Sequence, residues 1–478
     1  MLAALAATQT SRHEVLALEG AGHDGPAGKR IPFGWTGFST GRELRGLAGE
    51  APAGAARFRV TVAVDQREEA VVLVRARRSR TVLGRLDLRY FGALQLGEAQ
   101  LSAADSRTAW QEGVSLDRVS GQAPLLFVAP GADVPLEMQP HLMWAGTREE
   151  EAEFRERMRS GCAVTQWSWK LGTVLDGLLA LGERDAARRM IARYFPDGET
   201  LVYEGPSSEP LQDRVYGVEG GLCFGALARL EPKHAGLDLF VEFCRQRADA
   251  QGVLHEASGV VKTEECYTIS YPLAVLAAQR KDAGLRRIAV QTLLARRDVL
   301  HAGDDAIYQR GKPGELRFRN WARGLAWHLL GCAHTLRWLE RAPEVEAEFR
   351  RSAALALRLQ SNNGLWFCFT EEPVTGVETS GSAGIAAALA MGARQGVLGA
   401  EALSAARLAR AALRGYLTPD GLLGGASQEN KGGDALQREG YRVMPQYGWG
   451  VYAQLMGALD GQGGGEKARG GTPPPRMG

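Results

Sequence analysis

The feature that most constrains this fold is a repeat in helix character between about residues 147 and 460. Six helices rich in Gly, Ala and aromatics, with little charge, are expected at 166–181, 215–230, 265–278, 321–339, 380–393 and 446–459. Alternating with them are six Arg/Glu-rich amphipathic helices at 149–159, 184–194, 238–248, 285–296, 345–360 and 401–416. A helix that is apolar all round is buried on every side, whereas an amphipathic one covers a core with a single face. The joints repeat as well. Pro196-Asp197-Gly198, Gln251-Gly252, Asn363-Gly364 and Pro419-Asp420-Gly421 each follow an outer helix, with a glycine suited to the left-handed cap. A period of about fifty residues, one helical hairpin each, is an internal repeat. An open solenoid would need polar capping repeats at both ends, but the last hairpin here ends in an apolar inner helix. Six inner and six outer helices therefore predict an all-α (α/α)6 barrel.

Ahead of the barrel the pattern differs. Up to about residue 55 the chain is rich in Gly and Ala with no sustained period. Runs at 56–64, 69–77, 85–97 and 124–130 then alternate apolar and polar residues between Gly, Asp and Pro breaks. Short strands in series predict a strand-rich, β-sandwich-like accessory domain. The expected organisation is an accessory domain at 1–146, the barrel at 147–460 and a disordered Gly/Pro-rich tail at 461–478.

Charge and composition remove several classes of function. The 57 basic and 55 acidic residues are well mixed, which argues against a nucleic-acid partner. No apolar run approaches the ~20 residues that span a bilayer, and the N-terminus lacks the basic n-region of a signal peptide. Six cysteines without a Cys-x-x-Cys pair read as buried free thiols in a reducing compartment, not as a metal site. A cytoplasmic protein is expected. No phosphate loop, GxSxG elbow or HExxH pair occurs, so no cofactor and no metal are expected. Association into a homo-oligomer stays open.

In such a barrel the starts of the inner helices gather around one funnel, where their dipoles favour anions. The residues expected there are Trp167 and Trp169; Glu219; Glu264 and Glu265; Asn320, Trp321, Arg323 and Trp327; Glu378, Ser380 and Ser382; and Tyr447. His301, following an outer helix, is placed at its lining. Asn320, Arg323 and Trp327 fall at i, i+3 and i+7 and share a helix face. Arginine grips a carboxylate bidentately and tryptophan offers a stacking face, an inventory for an acidic sugar. Plainer readings stand beside these. An acid opening a helix, as Glu265 does, gains ~0.3–1 kcal/mol from the dipole alone. Ser380 and Ser382 equally suit a cap and a close helix contact, and Arg323 suits a buried ion pair.

The blocks WSWKLGTVLDGLLALGE, TEECYTISYPLAVLA, RNWARGLAW, ETSGSAGIAAALAMG and QYGWGVYAQLMGAL together resemble the unsaturated glucuronyl and unsaturated rhamnogalacturonyl hydrolases, in the right order over roughly residues 160–460. The resemblance implies removal of a 4,5-unsaturated uronic acid from lyase-derived oligosaccharides. It also implies an acid that protonates C4 of the enol ether and activates water for C5. Carried over by position, that acid falls on Glu265, seven residues before Pro272, where the family has Asp. Glu264 is its adjacent alternative, and Glu219 loosely matches a second carboxylate. Arg323, Ser380 and Ser382 would hold the uronate, with Trp167, Trp321 or Trp327 stacking on the rings. On this reading Glu265→Gln abolishes activity and leaves folding intact. Three alternatives stay open: a glucuronidase using two carboxylates ~5 to 9.5 Å apart, a sugar epimerase, and a non-catalytic sugar-binding protein. The epimerase would need paired histidines that the inner-helix starts do not offer.

Overall fold

The computed structural model describes residues 9–256 and 258–461. The first eight residues and the expected tail from residue 462 lie outside the described residues. Two compact units are built from interleaved stretches. Of the described residues, 9–170, 189–213 and 413–449 form the first, and 171–188, 214–412 and 450–461 the second.

All twelve expected helices are present. The inner set is Trp169–Ala180, Leu222–Leu230, Tyr271–Arg280, Ala322–Trp338, Thr379–Arg394 and Gln446–Asp460. The outer set is Glu150–Ser160, Arg184–Ala192, Leu237–Arg247, Ala283–Leu300, Pro343–Arg358 and Ala400–Leu413. Caps fix several starts. Asp282 accepts from the Leu285 N–H at 2.9 Å, and Glu149 from that of Ala152 at the same distance.

In the first unit, Arg12–Val15, His141–Trp144, Ala56–Thr61 and Leu96–Leu101 make one antiparallel sheet in that order. Glu43–Arg45, Gly113–Ser120, Val71–Ala76 and Val82–Asp87 make another. Inward residues of both, among them Phe58, Val60, Val72, Val74, Val114 and Leu142, share one apolar core. The expected run at 85–97 splits in two, because Tyr90 and Leu94 turn the chain with φ of 57° and 65°. Strand Gly113–Ser120 and the helix before it, Ala103–Glu112, were not expected. Their apolar residues are too sparse to set a period, and Ser102 supplies a local N-cap to Asp105 at 3.1 Å. Arg59 and Asp420 form a fully buried ion pair in this unit.

In the second unit the inner helices close a ring, and small residues make the closure possible. The test is what a Cβ at each glycine would meet. Gly172 of the first inner helix abuts Leu222 of the second, and Gly225 of the second abuts Pro272 of the third. Gly331 of the fourth abuts Cys266 just ahead of the third, while Gly384 of the fifth abuts Ala326 of the fourth and Val451 of the sixth. Gly450 of the sixth lies against the Thr173 backbone of the first, so each inner helix touches two inner neighbours. A Cβ on Gly450 would stand 2.5 Å from the Thr173 carbonyl oxygen. Gly450→Ala is therefore expected to lower the thermal unfolding midpoint. Overpacking costs ~1–3 kcal/mol, more than the ~0.5–1 kcal/mol that alanine returns in a helix interior. A raised midpoint would mean that the ring does not close there.

Candidate functional site

Polar groups meet at the starts of the second and third inner helices in the second unit, and the third is the more unusual. Between Glu265 and the helix Tyr271–Arg280 the chain makes a π turn, Cys266–Ser270. Such turns admit an extra residue and recur at functional sites. Pro272 at the junction has no N–H to lose.

The two neighbouring glutamates just ahead of this turn have different surroundings. Glu265 is fully buried, and its Oε2 accepts from Arg296 of the outer helix Ala283–Leu300, at 2.6 Å from Nε and also from Nη2. Its Oε1 accepts from the Lys262 backbone N–H at 3.1 Å. Burial pushes its carboxyl up to about 7, against the pull of Arg296. Glu264 is only partly buried, and its Oε2 accepts from Gln309 Nε2 at 2.6 Å. Its carboxyl is also raised, first by desolvation; Lys262 lowers it and Glu219 raises it further. Lys262 Nζ donates to Glu219 Oε1 at 2.7 Å, and the Glu219 side chain is about one-third exposed. Glu219, Lys262 and Glu264 thus form one charged group at the starts of the second and third inner helices.

Gln309 links this group to the fourth helix start, since its Cβ packs on Gly324, next to Arg323. It stands on a hairpin, Ala306–Lys312 paired with Glu315–Arg319, that the sequence reading passed over. The Arg323 guanidinium lies 4.5 Å over the Trp321 ring, a cation–π contact, and both residues are buried.

Other expected residues are occupied structurally. Asn320 Oδ1 accepts from the Ile307 N–H and its Nδ2 donates to the Asp305 carbonyl, both at 2.9 Å, so it pins the hairpin to the helix start. Glu378 caps the fifth inner helix, accepting from the Gly381 N–H and from Ser380 Oγ at 2.5 Å. Ser382 Oγ accepts from the Trp366 N–H at 2.9 Å. Both serines are held structurally, but not as the plainer reading had them: Glu378 is the cap that Ser380 supports, and Ser382 meets the Trp366 backbone of a loop. Trp327 is core, stacked on Tyr267 with centroids 6.1 Å apart. Below it Asp176, a residue the sequence reading did not single out, accepts from the Tyr267 and Tyr271 hydroxyls at 2.7 and 2.8 Å and from Arg229 at 3.1 Å. His301 is not at the helix starts; its buried ring faces His328 and Glu348.

Trp167, Trp169 and Tyr447 belong to the first unit. Trp167 packs among Tyr194, Phe195 and Tyr203, and Trp169 meets Tyr447 with centroids 4.8 Å apart.

A closed ring of inner helices, with acids and a lysine at the starts of the second and third, is an (α/α)6-like barrel, the fold of the six-hairpin glycosidases. Residues 294–459 match the model of Glycosyl Hydrolase Family 88. That stretch is similar to family 88, in line with the resemblance carried by the motif blocks. Solved structures share the fold. A possible member of family GH105 from Salmonella enterica aligns at 16% identity and TM-score 0.55 over 70% of this chain and 99% of its own. Another from Klebsiella pneumoniae gives 17%, 0.54, 71% and 98%. A family 105 glycoside hydrolase from C. acetobutylicum gives 15%, 0.56, 66% and 100%. No curated protein matches the chain.

Proposed function

We propose that this chain removes a 4,5-unsaturated uronic acid from the non-reducing end of lyase-derived oligosaccharides, with Glu264 as the acid. The observation that carries this reading is the contrast between adjacent carboxyls. Glu265 is consumed by Arg296, whereas Glu264 is partly open, raised by burial and oriented by Gln309. A general acid needs a pKa above the ordinary carboxylate range. Glu264 gives its proton to C4 of the enol ether; its carboxylate then takes one from the water that adds at C5. The resulting C5 hemiketal opens to a ketone, and C1 releases the aglycone alcohol, for a net uptake of one water. Lys262, beside Glu264, and Arg323, at the next helix start, are the cations we assign to the uronate, and Glu219 tunes Glu264.

We read residues 147–460 as the catalytic barrel and the N-terminal sheets as a sandwich-like accessory module. The six cysteines are free and buried, which supports a reducing, cytoplasmic setting. Among the described residues no helix is long and apolar enough to cross a membrane.

The deciding measurement is ultraviolet absorbance of the conjugated enol-ether acid during incubation with unsaturated disaccharides from pectin, heparin and ulvan. Loss of absorbance on at least one is expected. Unchanged absorbance together with cleavage of a saturated glucuronide would replace this reading with a two-carboxylate glucuronidase.

A further inference from the structure

Behind the π turn, in the second unit, two imidazoles, a carboxylate and a thiol converge outside the proposed chemistry. His301 ends the outer helix Ala283–Leu300, His328 lies on the fourth inner helix and Glu348 on the outer helix Pro343–Arg358. One ligand atom from each lies within 4.8 Å of the others. His301 Nδ1 stands 3.3 Å and His328 Nε2 2.7 Å from Glu348 Oε1. Cys332, one helical turn beyond His328, brings its Sγ to 3.8 Å from His328 Nε2. All four side chains are buried, and His301 Nε2 has no hydrogen-bond partner.

From these residues we infer a structural site for a zinc-class divalent ion, with His301, His328, Glu348 and Cys332 as ligands. Zinc takes imidazole, carboxylate and thiolate in a tetrahedron with bonds of about 2.0–2.3 Å, so ligand atoms lie about 3.3–3.6 Å apart. The His301–Glu348 and His328–Cys332 separations fit within a few tenths of an ångström; the His328–Glu348 hydrogen bond must open. On binding, the Cys332 thiol releases its proton and becomes a thiolate. Zinc(II) stays zinc(II), and no electron is exchanged. Arg351 is the competing cation. Its Nε donates to Glu348 Oε2 at 3.0 Å, and its Nη2 lies against His301 Nδ1 and donates to Glu348 Oε1 at 3.2 Å; Ser352 Oγ donates to the same Oε1, and a metal must displace both from it. Arg351 is partly exposed and also reaches the Gly303 carbonyl at 2.9 Å, a partner it keeps when a metal takes the Glu348 oxygen. The site would tie three helices together. His328 Nδ1, 3.4 Å from Cys266 Sγ, would carry that restraint to the turn bearing Glu264.

The test is cobalt(II) titration of the chelator-stripped full chain. Expected are about one ion per chain, tetrahedral d–d bands in the visible and a thiolate-to-cobalt band in the near ultraviolet. Cys332→Ser should lose the ultraviolet band and bind about 10–100-fold more weakly. Arg351→Met, which removes the rival cation, should bind more tightly. Zinc should raise the unfolding midpoint of the wild type and leave that of Glu348→Gln unmoved. Absence of d–d bands in both wild type and Arg351→Met would overturn the assignment, as would bands that persist unchanged in Cys332→Ser/His301→Asn.

Discussion

Arg296→Met is expected to cost about 3–5 kcal/mol of stability at mildly alkaline pH, because it leaves the Glu265 carboxylate buried without its partner. At acid pH the loss is much smaller, about 1 kcal/mol, the worth of the lost hydrogen bonds to Glu265 and the Leu254 carbonyl. The sign follows from the direction of the shift. In the folded chain burial carries Glu265 up to about 7, above the ~4.3 of an unfolded glutamate. The stability contributed by its protonated form is complete below the unfolded value and is lost as pH rises through the folded one. Removing Arg296 takes away the pull that holds the carboxyl down, so the loss deepens at high pH and the window widens. Urea midpoints of wild type and variant at the two pH values measure this. A pH-independent difference would show that Glu265 is not the group Arg296 serves. Glu265→Gln keeps a neutral acceptor for Arg296 and is expected to fold and to turn over within about tenfold of wild type. That reverses the expectation drawn from motif position alone.

The helical architecture was legible because burial writes itself into period. The fourth inner helix is buried at every residue from Ala322 to Thr335, and its sequence is apolar over almost that whole run. The ring's closure was legible only as an argument from the last helix. Its physical means, Gly172, Gly225, Gly331, Gly384 and Gly450 each set against a neighbouring helix, cannot be told from ordinary helix glycines without coordinates. The hairpin bearing Gln309 left a usable signal, since Lys312-Pro313-Gly314-Glu315 is a turn between two alternating runs.

The candidate site was legible in residue type and not in role. Helix starts attract Glu, Ser and Asn for capping whether or not a ligand binds. Glu378, Ser380 and Asn320 therefore looked the same as Glu219 until their partners were known. Choosing between Glu264 and Glu265 was beyond the sequence for a different reason. It depends on Arg296, thirty-one residues from Glu265 on an outer helix, and on Gln309 of the hairpin, which holds Glu264. Position relative to Pro272 favoured Glu265. Packing favours Glu264.

Glu264→Gln is expected to reduce kcat by about 10²–10⁴-fold, the usual worth of a positioned general acid, with little change in stability. The amide keeps an acceptor for Gln309 in a partly open position, so circular dichroism and unfolding midpoint should match wild type. The pH profile separates a catalytic role from a structural one. An acid must be protonated to act, so kcat/KM should be high below the Glu264 pKa and fall as pH rises through it. Glu219 raises that carboxyl, and Lys262 lowers it. Glu219→Gln removes a neighbouring anion and frees Lys262 to draw on Glu264 alone, so the alkaline fall should move to lower pH. Lys262→Met does the reverse, leaving Glu219 as an uncompensated anion, and the fall should move to higher pH. Opposite displacements from two variants of one ion pair cannot come from a general loss of structure. If both shift the limb the same way, or Glu264→Gln turns over normally, the proton comes from elsewhere.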